Sequence, residues 1–221
     1  MKTVAITKQG TRSEFNEDAL LALPAKGVFL VSDGVGGGPS GHEASRTTVK
    51  TLYDTLSGVD ITEQVVLESI LKANTAVYEK AKQGEHKGMA CTLVLAWCDG
   101  VKLNCFNIGD SRIYRFRDQK IEQLTSDQIK KVERNNRVKS LVTNAIGVKS
   151  QVKAELTQSD WLDGDVIMLM SDGISDVVPD DEMCRLVAVK GRSMLEKANS
   201  LIDASVVNGS QDDKTLVFAF N

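Results

Sequence analysis

The chain has 221 residues, 42% of them hydrophobic, with three prolines and a net charge of −3 from 27 basic and 30 acidic side chains. That is enough chain for one sizeable core and excludes an intrinsically disordered segment, and without a basic excess nucleic-acid binding is not expected. No apolar run is long enough to span a bilayer, and MKTVAITKQGTR lacks the apolar centre of a secretory leader, so a cytoplasmic protein with no membrane partner is expected.

Four cysteines, Cys91, Cys98, Cys105 and Cys184, form no CxxC pair, and His42 and His86 are the only histidines. A Cys/His zinc site is therefore not expected. Cys91, Cys98 and Cys105 sit in strand-like apolar segments and read as buried free thiols of a reducing compartment.

In chain order, MKTVAITKQG reads as a short strand. DALLALPAKGVFLVSDG reads as two more around a turn at 24–27. The pattern turns helical from Glu43 to Leu56. A second helix is expected from Thr62 to Gln83, capped by Asp60 or Thr62 and stopped by Gly84. MACTLVLAW and VKLNCFNIG form a hairpin about Asp99-Gly100, and RIYRFR turns near Asp118 into KIEQLT. Residues 127–141 are polar and basic and read as a short exposed segment. VKAELTQ and DVIMLMS are strands around WLDGD, helices follow at 180–190 and 193–207, and KTLVFAF is the last strand. Hairpins and paired helices, rather than βαβ alternation, predict antiparallel sheets covered by helix pairs. No Pro/Gly/Ser linker divides the chain, so one domain over 1–221 is expected.

Acids recur at the strand ends. Glu17 and Asp18 precede ALLAL, Asp33 ends VFLVS, and Asp110 lies in the turn NIGDSR. Asp172 ends VIMLMS with Asp176 four residues on, and Asp212 and Asp213 precede TLVFAF. If these ends converge, the clustered charges need a cation, and a set of carboxylates and carbonyls favours Mg²⁺ or Mn²⁺. Gly34 would let the backbone come close to such an ion. Asp-Gly is also a common turn, and Asp99-Gly100 and Asp163-Gly164 read as bare turns. Asp33 and Asp172 differ in following long apolar runs and in sharing the tripeptide Ser-Asp-Gly. A nucleotide-binding loop is the competing reading of GVGGGP. Pro39 stands where GxGxxG needs its third glycine, and no GxxxxGK[ST] occurs.

Eight segments in order resemble the motifs of the type 2C metal-dependent Ser/Thr protein phosphatases, in their compact bacterial form. They are RSEFNEDA, VSDGVGG, GMACTLVLA, NIGDSRIYR, LTSDQ, LVTNAIG, MLMSDGISD and GSQDDKTLVF. The resemblance implies an α+β fold, a four-layer αββα sandwich of two antiparallel sheets flanked by helix pairs. It implies two Mn²⁺ or Mg²⁺ ions, with Asp33 bridging, Gly34 offering its carbonyl, and Asp172 and Asp212 completing the set. Glu17 and Asp18 would hold metal-bound water or stand behind the direct ligands, and Asp110 and Asp176 would hold a weaker third ion. Arg12 would hold the substrate phosphate, and Arg12, Asp18 and Asp33 would form the catalytic group. The implied reaction is direct attack of a hydroxide between the ions on phosphoserine or phosphothreonine in proteins, by a monomer opposing a Ser/Thr kinase. A binding module that keeps the fold without catalysis, or a phosphatase of small phosphomonoesters, are the alternatives.

The chain departs from the family pattern in four places. Three residues, Ser13, Glu14 and Phe15, separate Arg12 from Asn-Glu-Asp where two are usual. Val35 and Gly38 stand where a histidine is often found, and His42 reads as a helix-start residue. Asp213 replaces the usual Asn, with Lys214 expected to offset its charge. The flap-like segment is short and carries Lys130, Lys131, Arg134, Arg137 and Lys139, either as a solvated face or as an attractor of acidic partners.

Overall fold

The computed structural model describes residues 1–35, 40–134 and 137–221. Among these, β1 (Lys2–Lys8), β2 (Asp18–Leu23) and β3 (Val28–Asp33) lead into α1 (Gly41–Leu56) and α2 (Glu63–Lys80). Six strands follow: β4 (Leu93–Cys98), β5 (Lys102–Ile108), β6 (Arg112–Arg117), β7 (Lys120–Gln123), β8 (Ile129–Arg134) and β9 (Arg137–Val142). Then come β10 (Glu155–Asp160), β11 (Val166–Met170), α3 (Asp172–Ser175), α4 (Asp180–Ala188), α5 (Met194–Val207) and β12 (Lys214–Phe220).

Two five-stranded sheets result, ordered β1-β12-β11-β6-β7 and β10-β5-β4-β3-β2, and every strand pair in them is antiparallel. The central strands read as unbroken apolar runs because both their faces are covered. On β3, Val28 and Leu30 pack against α1 and α2, while Phe29 and Val31 meet the opposite sheet. On β11, Ile167 and Leu169 meet that same inner layer, while Val166, Met168 and Met170 pack under α4 and α5. Three apolar layers thus separate four layers of secondary structure, the αββα order expected from the sequence. Leu169 is fully buried between the sheets, so Leu169→Ala would cost about 2–5 kcal/mol.

The helices keep their expected places with shifted ends. Thr62 caps α2 through its hydroxyl, which accepts from the Val65 N–H. The helix stops at Lys80, three residues before Gln83; Ala81 still packs on the core beneath, but Lys82 and Gln83 are exposed and offer it nothing. Gly84, at φ 52°, opens a 3-10 turn instead. α1 begins at Gly41, two residues before Glu43. The short α3 was not foreseen. The segment 127–141, expected to be exposed and irregular, contains β8, which pairs antiparallel with β9. Lys130 and Lys131 are exposed there while Ile129 and Val132 are half-buried. The side chains of Arg134, Arg137 and Lys139, and Gly38 entirely, lie outside the described residues. Cys91, Cys98 and Cys105 are buried free thiols. No helix among the described residues is long and apolar enough to cross a membrane.

Candidate active site

The antiparallel register brings the acidic strand ends to one end of the sandwich. Asp33 closes β3, Asp172 follows β11, Asp212 precedes β12, and Asp110 sits in the β5–β6 turn. These four, with Glu17 and Asp176, line one cavity of about 520 Å³ together with Arg12, Gly34 and Thr92. Ser140, Leu141 and Val142 of β9 close one side of it.

Asp33 is fixed through its backbone. Its N–H donates to Thr92 Oγ1 at 3.0 Å, and that hydroxyl shares a hydrogen bond with Ser111 Oγ at 2.7 Å. Ser32 Oγ donates to the Thr92 carbonyl at 2.7 Å. In the second Ser-Asp-Gly, Ser171 works across the sheets. Its hydroxyl donates to Asp18 Oδ2 at 2.7 Å and accepts the Thr215 N–H at 3.0 Å. The serines of the repeated tripeptide are therefore both strand ties.

Gly34 has a reason beyond the one read from sequence. A Cβ there would stand 2.5 Å from the Gly41 carbonyl carbon, so the glycine lets α1 start directly against β3. Gly41 is likewise bare where a Cβ would stand 2.5 Å from Glu17 Oε1.

The crowding of like charges shows in the acids' proton affinities. Asp33 is half-buried, enclosed by protein but open to the cavity. Burial, then the charges of Asp18, Asp172 and Asp212, push its carboxyl well above the usual range. Asp18 is raised to about 7, mainly by burial, against the Ser171 bond that lowers it. Asp172 is raised to about 7 and Asp110 to about 6, again by burial first and neighbouring acids second. Asp172 is among the acids that raise Asp33, and both line the same cavity. Glu17 and Asp176 are also raised, first by burial.

Two arginines answer part of this charge. Arg12 Nη1 pairs with Asp212 Oδ2 at 2.6 Å while its side chain stays 63% exposed. Arg112, which the sequence reading passed over, pairs with Asp176 at 2.9 Å and with Asp127 at 2.7 Å, and donates to the Ser175 carbonyl at 2.6 Å. Its signal was its place in NIGDSR, two residues after Asp110. His42 lies in the first turn of α1, is not among the cavity residues, and packs on Phe15 with ring centroids 5.0 Å apart. Lys214 does not pair with Asp213 as expected, because its Nζ donates to the Asp212 carbonyl at 2.5 Å.

The donor set suits a hard divalent cation. It is all oxygen, its acids outnumber the two arginines beside them, and Asp18 Oδ1 is buried with no hydrogen-bond partner. Among the described residues no three acids, cysteines or histidines already form a closed metal cage. The acids stand as cavity walls, with Asp212 drawn toward Arg12 and Asp176 toward Arg112. Asp212 lies in the bend before β12, and Asp176 caps the end of α3.

Known proteins share this fold. The sequence model of the family described as protein phosphatase 2C matches residues 7–205. A putative protein phosphatase 2C-type of Streptococcus pyogenes is 29% identical over 100% of this chain and 98% of its own length. The serine/threonine phosphatase stp of Listeria monocytogenes is 28% identical over 86% of this chain and 82% of its own. The crystal structure of the catalytic domain of the serine/threonine protein phosphatase PstP, in complex with two manganese ions, superposes with a TM-score of 0.84 at 24% identity. It covers 98% of this chain and 96% of that one. The chain belongs to the protein phosphatase 2C family.

Proposed function

We propose that this chain is a metal-dependent protein phosphatase that hydrolyses phosphoserine and phosphothreonine esters in proteins. The observation that carries this is the convergence of Glu17, Asp33, Asp110, Asp172, Asp176 and Asp212 on one cavity, with Arg12 the cationic side chain among its lining residues. Asp33, Asp172 and Asp212, with the Gly34 carbonyl, are the groups to hold two Mn²⁺ or Mg²⁺ ions. Glu17 and Asp18 would hold their water, and Asp110 and Asp176 a weaker third ion. When bound, such ions lower the pKa of water and stabilise an in-line displacement at phosphorus.

The remaining steps fall to side chains. Arg12 offers a largely solvent-facing guanidinium to the incoming phosphate, a charge-assisted contact that an acidic cavity otherwise lacks. Thr92 and Ser111 hold the Asp33 backbone and so keep its carboxyl at the cavity floor. Leu141 and Val142 give the cavity one apolar side. A cysteine nucleophile is not part of the scheme. Cys91 is buried with its thiol pushed up to about 11, and no cysteine is among the cavity residues.

The reading extends to residues 1–221 as one catalytic domain with β8–β9 as its flap, and to a monomeric, cytoplasmic signalling enzyme opposing a Ser/Thr kinase. The listerial relative, named as a serine/threonine phosphatase, supports the substrate class. The test is phosphate release from a phosphothreonine peptide in EDTA, Mg²⁺ or Mn²⁺, for wild type and Asp33→Ala. Turnover that requires the metal and is lost in the variant is expected. Folded protein with no turnover under any of these conditions overturns the reading.

A further inference from the structure

Asp213 is buried, and the chemistry above makes no use of it. Both of its oxygens are occupied by backbone. Oδ1 accepts the Gly10 N–H at 2.7 Å, and Oδ2 accepts the Glu17 N–H at 2.7 Å. These two donors bracket the loop that carries Arg12. The same loop is tied again just after its first residue, where the Gln211 carbonyl accepts the Thr11 and Arg12 N–H groups at 2.8 and 3.1 Å. Gln9 Nε2 bonds the carbonyls of Ser13 at 3.2 Å and Glu14 at 2.8 Å. A Cβ on Gly10 would run into the Gln211 and Asp212 backbone, so the loop lies flat on the chain entering β12.

We propose that Asp213 is a positioning residue whose carboxylate staples both ends of the Gly10–Glu17 loop to the start of β12 and so fixes Arg12 for phosphate binding. This rests on the reading of Arg12 as the phosphate-binding group. The acid is needed because a carboxylate presents two acceptor oxygens, whereas a carboxamide presents one acceptor and one donor. With Asn at 213, one of the two loop N–H groups would face an NH₂ group. The charge is kept at a cost, since Asp213 repels Glu17 and Asp18 and Lys214 does not pair with it. Within the loop Phe15 packs on His42. Eight residues outside any helix or strand have freedom to lose, so pinning both ends of the loop matters for Arg12.

The experiment combines amide exchange with kinetics on the metal-loaded protein. In the wild type, the Gly10 and Glu17 amides exchange as slowly as those of β12. In Asp213→Asn, exchange across 10–17 rises about tenfold or more while β12 is unchanged. KM for a phosphothreonine peptide rises about tenfold, and kcat stays within about twofold. In an Arg12→Ala background, Asp213→Asn adds no more than about a twofold change to KM. Unprotected Gly10 and Glu17 amides in the wild type overturn the proposal without any variant. So does an unchanged KM in Asp213→Asn, or the same KM penalty with and without Arg12. If Arg12→Ala itself leaves KM unchanged, the reading of Arg12 fails and the positioning role fails with it. Should Asp213→Asn not fold, Asp213→Ser, which keeps one acceptor oxygen, is read the same way.

Discussion

Asp18 and Asp33 stand directly opposite each other in the register of β2 and β3, two acids paired at the same end of one hairpin. Like charges directly opposite across a strand pair destabilise it. Here Asp172 and Asp212 crowd the same place, and the folded chain holds its acids above their usual proton affinities. This end of the sandwich is built against its own stability, and a divalent cation is the group that relieves it.

The sign of the resulting pH dependence follows. A carboxyl raised in the folded state binds more protons folded than unfolded between the two pKa values, so stability falls as pH rises through that window. For Asp18 and Asp172 the window runs from 3.8 to about 7. In EDTA, the melting temperature should therefore drop from pH 5.5 to pH 8, by several degrees for a loss of about 1–3 kcal/mol. Saturating Mn²⁺ should stabilise the protein more at pH 8 than at pH 5.5. Thermal melts at the two pH values, with and without metal, check both. A melting temperature that rises with pH in EDTA would contradict this account of the acids.

Asp33→Asn should separate stability from function. Removing the most crowded charge is expected to raise the melting temperature in EDTA and to flatten its pH dependence. The same change should abolish Mn²⁺ stabilisation and metal-dependent turnover. Destabilised variant protein in EDTA would mean that Asp33 is held by favourable contacts rather than confined by neighbours.

Much of this site was legible because its acids follow the strongest apolar runs. Strands buried on both faces read as unbroken hydrophobic segments, and the charge that ends each run marks where the strand leaves the core. VFLVSD and VIMLMSD carried that signal, and Asp33 and Asp172 lie together. The flap was less legible, since IKKVER and RVKSLV lack the alternation that marks a half-buried strand, and the hairpin rests on backbone pairing. Arg112 was missed because its place in NIGDSR marks it as near Asp110 without saying which acids it pairs with. Asp127 and Asp176 arrive from other elements. Lys214 was assigned to its sequence neighbour, but its ammonium reaches the Asp212 carbonyl instead.

Ser171 joins the two sheets at the site, and Ser171→Ala removes both of its ties. Asp18 would then lose the hydrogen bond on Oδ2 while Oδ1 already has none. A loss of about 1–3 kcal/mol is expected. The Asp18 carboxyl should rise further, because the bond removed is one that lowers it. Mn²⁺ affinity at pH 7 should fall as a result, and calorimetric titration of the variant checks this. Unchanged affinity would show that Asp18 takes no part in holding the metal or its water.

Gly173 offers a test of the contact that holds two proposed metal-binding segments together. A Cβ at this position would run into the Asp213 carbonyl oxygen and approach Asp212 Cβ at 3.3 Å. The glycine φ is not in the left-handed region, so the constraint is the close approach of α3 to the 212–213 segment rather than backbone strain. Gly173→Ala should push Asp172 and Asp212 apart, at a cost of about 1–3 kcal/mol. Because those two carboxylates belong to one proposed metal site, Mn²⁺ affinity should fall with stability. Gly58→Ala is the control, since its Cβ would meet nothing within 4 Å and its φ is unremarkable. Thermal melts and Mn²⁺ titrations on the two variants distinguish the outcomes. If Gly173→Ala lost stability but kept full metal affinity, the close contact would serve the fold alone, and the spacing of Asp172 and Asp212 would be set elsewhere.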